Sequence, residues 1–73
     1  MRLKIKEFER FARERGYRNG VELMEDLGSN ARSYYRLVNG ERIYSDLVAE
    51  IYNRFGDDAV TRLINYGGGG WYG

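Results

Sequence analysis

The spacing of glycine constrains this chain more than any other feature. The sequence has no proline, and Gly16, Gly28, Gly40, Gly56 and Gly67 each follow an amphipathic stretch. Glycine commonly stands just past a helix C-terminus, where a left-handed residue lets the last carbonyls find donors. Such stops divide the chain into five short helices. The expected helices are 4–15, 20–27, 31–39, one following Ser45 and one beginning after Asp57. Asn19 is the expected cap of the second helix, with Glu22 completing a capping box. Asn30 or Ser29 caps the third.

Apolar residues recur at helical spacing within each stretch. Ile5, Phe8, Phe11 and Ala12 face inward from the first, and Val21, Leu27 and one of Met24 or Leu23 from the second. Ala31, Tyr34, Leu37 and Val38 line one side of the third. Leu47, Val48, Ile51 and Phe55 form the stripe of the fourth, and Val60, Leu63 and Ile64 that of the fifth. Tyr44, Tyr52 and Tyr66 suit either a core rim or a dimer contact. No segment alternates with period two over a useful length. The expected fold class is all-α, a compact five-helix bundle with short connections.

A chain of 73 residues with 42 % apolar content has material for one modest core. Short chains often need staples, but cysteine and histidine are both absent. Disulfides and the usual zinc ligands are therefore excluded, and no metal or cofactor is expected. The same absence removes the commonest catalytic bases and nucleophiles, so an enzyme is not expected. Glycines 67–70 do not make a phosphate loop, because no Gly-Lys-Ser/Thr follows. No apolar run approaches the roughly 20 residues of a membrane span. The opening MRLKIKEFER lacks the apolar region of a signal peptide. A soluble, cytoplasmic protein is expected. Residues 1–66 read as one domain and 67–73, GGGGWYG, as a flexible tether carrying Trp71 and Tyr72.

The formal net charge is only +1, from 12 Lys+Arg against 11 Asp+Glu. The sum hides a pattern: basic residues gather in 1–18 and 29–44, and acids lie mainly between and after them. The third helix is the notable case. At about 100° per residue, Arg32, Tyr35, Arg36 and Asn39 share the side opposite its apolar residues. Arg32 and Arg36 form a like-charge pair that costs an exposed helix roughly 0.2–0.5 kcal/mol. Arg32 also lies near the positive end of the helix dipole. Two arginines, a tyrosine and an asparagine side by side suit an external polyanion.

The run VELMEDLGSNARSYYRLVNGER places a short helix, a turn at Gly28-Ser29-Asn30 and a second amphipathic helix in close succession. This is the layout of a helix-turn-helix, whose second helix enters the major groove. Three motifs carry a further likeness: Arg13-Glu14-Arg15-Gly16, Leu23-x-x-x-Leu27-Gly28 and Arg36-Leu37-x-Asn39-Gly40-x-Arg42. On these the chain resembles the phage-repressor/Cro (xenobiotic-response-element type) helix-turn-helix family over about residues 3–66. The resemblance implies a lambda-repressor-like domain that regulates transcription by binding operator DNA as a homodimer. It further implies that Ala31, Arg32 and Arg36, with Tyr35 beside them, read base edges. Asn39, Gly40 and Arg42 would then hold the DNA backbone, and Lys6 and Arg10 supply phosphate contacts from the first helix.

The chain departs from that pattern at Gly20, where the family usually has glutamine, at Met24 in place of alanine, and at Tyr34 in place of an aliphatic residue. One extra residue lies between the first two helices. An alternative reading is an antitoxin-like or adaptor protein that uses the same scaffold to bind a protein partner.

Overall fold

The computed structural model describes residues 1–65. Over that span the order is β1 (Arg2–Leu3), α1 (Ile5–Glu14), α2 (Gly20–Asp26), α3 (Ala31–Val38), α4 (Ser45–Phe55), α5 (Asp57–Leu63) and β2 (Ile64–Asn65). The five helices lie where the glycines and caps predict them. Asn19 Oδ1 accepts the Glu22 N–H at 3.0 Å, and Asn30 Oδ1 accepts the Ser33 N–H at 2.8 Å. Asn30, not Ser29, is therefore the cap of α3. The return arm of the expected capping box is shifted by one residue: Glu22 Oε1 accepts from the Arg18 N–H at 2.9 Å.

The first three helices end in one and the same way. Behind α1, Gly16 N–H donates to Arg13 O and Tyr17 N–H to Ala12 O. The pairs Gly28 to Glu25 with Ser29 to Met24, and Gly40 to Leu37 with Glu41 to Arg36, repeat that geometry behind α2 and α3. These are Schellman closures, which need a residue at positive φ. Gly28 and Gly40 supply it at φ 89° and 96°. Gly56 serves differently, as a single extended residue (φ 90°, ψ 179°) that joins α4 directly to α5.

All five helices feed one core. Phe8, Leu23, Met24, Ile51 and Leu63 are sealed from solvent, with Phe11, Leu27, Tyr34, Leu37, Leu47 and Val60 nearly so. Met24 and Leu23 are both interior, so the choice between them does not arise. Phe55 is half-buried and meets Phe11 edge-on at 5.0 Å. Val38 departs from expectation: it is 45 % exposed. The inward arc of α3 is centred between Tyr34 and Leu37, and Val38 lies about 70° from that centre. Tyr44 and Tyr52 are also exposed rather than core rims.

The expectation of an all-α fold is corrected by a small antiparallel sheet. Arg2 pairs with Asn65 and Leu3 with Ile64. Lys4 N–H continues the ladder to Leu63 O at 2.7 Å, and Ile43 N–H donates to Met1 O at 3.1 Å. β1 is thus held by β2 and also bonded to the α3–α4 connection. Leu3, Ile43 and Ile64 are buried in the core. Strands of two residues are too short to show a period, so the sequence pattern could not reveal them. Tyr66 and the tail with Gly67, Trp71 and Tyr72 lie outside the described residues.

Candidate nucleic-acid interface

The position of α3 is set by a polar junction inside the bundle. Glu9 on α1 accepts two hydrogen bonds through Oε2, one from the Tyr34 hydroxyl on α3 and one from the Gly20 N–H at 2.9 Å, at the start of α2. One carboxylate therefore ties three helices together. Tyr34 is 3 % exposed, with its ring 5.7 Å from that of Phe8. Burial first, and the Glu9 hydrogen bond second, push the Tyr34 hydroxyl pKa well above its ordinary value.

This junction also explains why position 20 is glycine. A Cβ there would collide with the Glu9 carboxylate and the Tyr34 hydroxyl. Gly20 is buried and its N–H is already used. Gly20 and Tyr34, two departures noted in the sequence, are therefore one compensating arrangement, completed by Glu9.

The outer side of α3 carries the predicted residues together. Arg32, Tyr35, Arg36 and Asn39 are exposed, and Ala31 is half-buried at the first turn. Tyr35 is 58 % exposed, and Val38 lies beside it at i+3, adding an apolar edge that the sequence pattern had placed inside. Arg32 has no hydrogen-bond or ion-pair partner among the described residues. Arg36 Nε meets Glu41 Oε1 at 3.2 Å, with side-chain exposures of 61 % and 52 %. A pair that open to solvent contributes about 0–1 kcal/mol, so it orients Arg36 without sequestering it.

Asn39 is the C-cap of α3, and Gly40 follows at the turn. The Gly40 carbonyl accepts from Arg2 Nε at 2.8 Å. Arg42, two residues on, is exposed with no partner among the described residues. Arg2 is the basic group at this turn that sequence reasoning missed. It lies 38 residues from Gly40 in sequence and is brought there by the tertiary fold, in which Ile43 N–H donates to Met1 O.

The α1 residues separate. Lys6 is exposed and unpartnered among the described residues, and lies about 60° around the helix from Glu9. Arg13 stands about 40° from Glu9 on the same side as Lys6, equally exposed and unpartnered among the described residues. Arg10 lies further round in the same sense and differs in being paired, reaching Glu7 at 3.4 Å.

Charge pairing resolves the near-zero sum. Arg62 binds Glu7 at 3.1 Å and Glu14 at 2.8 Å, and Arg54 binds Asp26 at 3.2 Å. Its hydrogen bond to Arg62 holds the Glu14 carboxyl below the usual carboxylate range. A bond donated to Asp26 raises the Tyr17 hydroxyl pKa. Most carboxylates of α1 and α2 are thereby occupied within the molecule. Asp46, Asp57 and Asp58 sit in the first turns of α4 and α5, where a helix dipole favours them. Arg2, Lys4, Lys6, Arg13, Arg15, Arg32 and Arg42 are left without an anionic partner among the described residues; Arg2 meets a carbonyl and Arg15 lies over the Phe11 and Phe55 rings. The cationic character that the composition conceals thus lies in residues 2–15 and 32–42.

Among the described residues no group of His, Cys, Asp or Glu is arranged to hold a metal ion, and no helix is long and apolar enough to cross a membrane. No family model, curated protein or solved structure matches the chain.

Proposed function

We propose that this protein is a small sequence-specific DNA-binding transcriptional regulator of repressor type, with α2 and α3 as its helix-turn-helix and α3 in the major groove. The observation that carries this reading is the exposed face of Arg32, Tyr35 and Arg36 on a helix fixed from behind by Tyr34. Arg32 and Arg36 are one turn apart, a rise of about 6 Å along the axis. That separation is close to two base-pair steps of about 3.4 Å each. Each guanidinium can address a guanine through O6 and N7, worth about 1–3 kcal/mol of discrimination. For Arg36 this outweighs the exposed pair with Glu41. Tyr35 and Val38 offer an apolar edge to a thymine methyl, and Ala31 lets the helix start approach closely. Asn39, Gly40 and Arg42 contact the backbone past the recognition helix. Lys6, and Arg10 once released from Glu7, reach flanking phosphates. A homodimer would read two half-sites about one helical turn apart.

The test is a gel-shift titration on a site selected from random DNA, wild type against Arg36→Ala. Weaker binding by the variant to the selected site, with relaxed preference at one position, is the expected result. Equal affinity of the two proteins rejects the base-reading role.

A protein-binding adaptor is the second reading. One observation favours it: the α2 N-terminus has its first N–H turned inward to Glu9, which removes a donor from any DNA-facing surface. Partner binding that ignores salt, with no duplex affinity even at low salt, would establish it instead.

A further inference from the structure

Three arginines lie at or beside the turn that closes α3. Arg2 arrives from β1, Arg36 from the last turn of the helix, and Arg42 from the connection beyond. Among the described residues, Glu41, already engaged by Arg36, is the acid that neighbours them in sequence there. We propose that Arg2 and Arg42 form a clamp across Gly40 for one backbone phosphate of duplex DNA. The inference rests on the DNA-binding reading above and adds to it a residue and a site.

The structural role of Arg2 accounts for only part of its side chain. Nε donates to the Gly40 carbonyl at 2.8 Å, which suits a cation at the negative end of a helix dipole. The two terminal nitrogens have no partner among the described residues. A guanidinium fixed through Nε presents Nη1 and Nη2 as a rigid fork, the geometry that matches two oxygens of a phosphate. The backbone beneath it is equally fixed. β1 is paired with β2 on one side, and Met1 O accepts from Ile43 N–H at 3.1 Å beside Arg42. Arg2 and Arg42 are therefore carried by two segments bonded to each other, and Arg2 meets the Gly40 carbonyl two residues before Arg42. Gly40 at φ 96° has nothing within 4 Å of where a Cβ would stand, so the turn is open to an approaching anion.

The clamp is tested by fluorescence anisotropy with a mixed-sequence DNA duplex titrated at several salt concentrations between about 50 and 200 mM. Each phosphate contact contributes about 0.9 to the slope of log affinity against log salt. Arg2→Gln and Arg42→Gln should each lower the slope by about that amount, and the double variant should lower it by nearly twice as much. The loss should be uniform across duplex sequences, unlike that of a base reader. Arg2→Lys, which keeps the charge but not the fork, should keep most of the slope. If Arg2 only caps α3, Arg2→Gln lowers the melting temperature and leaves the slope unchanged, which overturns the clamp. Arg42 has no partner to lose among the described residues, so Arg42→Gln tests the site even if Arg2→Gln folds poorly, and an unchanged slope there also overturns it. Absence of duplex binding by the wild type at the lowest salt overturns the DNA-binding reading itself, and the clamp with it.

Discussion

Tyr34→Phe is the most exacting test of how this bundle holds α3. The substitution keeps the ring that packs on Phe8 and deletes only the hydroxyl bonded to Glu9. A hydrogen bond to a charged group contributes about 1.5–3 kcal/mol net. Two features place this one toward the lower end. Glu9 is only half-buried, so water can replace the lost donor, and its Oε2 keeps the Gly20 N–H at 2.9 Å. The expected loss is therefore about 1–2 kcal/mol, or about 5–15 °C in Tm for a domain of this size. Urea and thermal melts followed by circular dichroism measure it, and the urea m-value should not change. Glu9→Gln supplies the second arm, and the double variant should show a coupling of about 1 kcal/mol.

The alkaline limb gives an independent check of the same bond. The folded-state pKa of Tyr34 is raised, so the folded protein favours the neutral phenol. That contribution is complete below the unfolded tyrosine pKa of about 10 and is lost as the pH climbs above it toward the raised folded value. Tyr34→Phe should accordingly flatten part of the stability loss above that pH. Wild-type stability in Tyr34→Phe, or strict additivity with Glu9→Gln, would refute the idea that this carboxylate ties the helices together.

Three further outcomes follow from the structure. Gly20→Ala should destabilise by about 1–3 kcal/mol through the collision with Glu9 and Tyr34, although alanine is the better helix former; a melt showing a gain would contradict the crowding at that site. Glu41→Gln should leave stability within about 0.5 kcal/mol, because the pair it breaks is exposed, while anisotropy shows tighter duplex binding through a released Arg36. Glu14→Gln bears on acid stability. The Glu14 carboxyl is depressed by Arg62, so its contribution exists above the unfolded glutamate pKa and vanishes as the pH falls through the lower folded value. The variant should have a lower Tm at neutral pH and a shallower acid limb, read from melts across the acid range.

The residues that start and stop the helices act over three to five positions, and so were legible without coordinates. Asn19 and Asn30 cap through N–H groups three residues on, and the glycines close helices onto carbonyls of the preceding turn. The exposed face of Arg32, Tyr35 and Arg36 was readable for a similar reason, since helical periodicity places them opposite Tyr34 and Leu37. Val38 shows where that reasoning stops. A wheel gives the direction of a side chain but not how far the neighbouring elements extend to cover it.

What tertiary structure alone decided involves residues far apart in the chain. The sheet joins Arg2 to Asn65, Glu9 meets Tyr34 across 25 residues, Arg62 reaches Glu7 across 55, and Arg2 finds Gly40 across 38. None leaves a local pattern, because each depends on where packing of the core sets one element against another. Local signals along the chain specify five helices and a basic outer face. The packed chain determined which cations are left unpaired by their own carboxylates, because ion pairing depends on distance in space and not on order along the backbone.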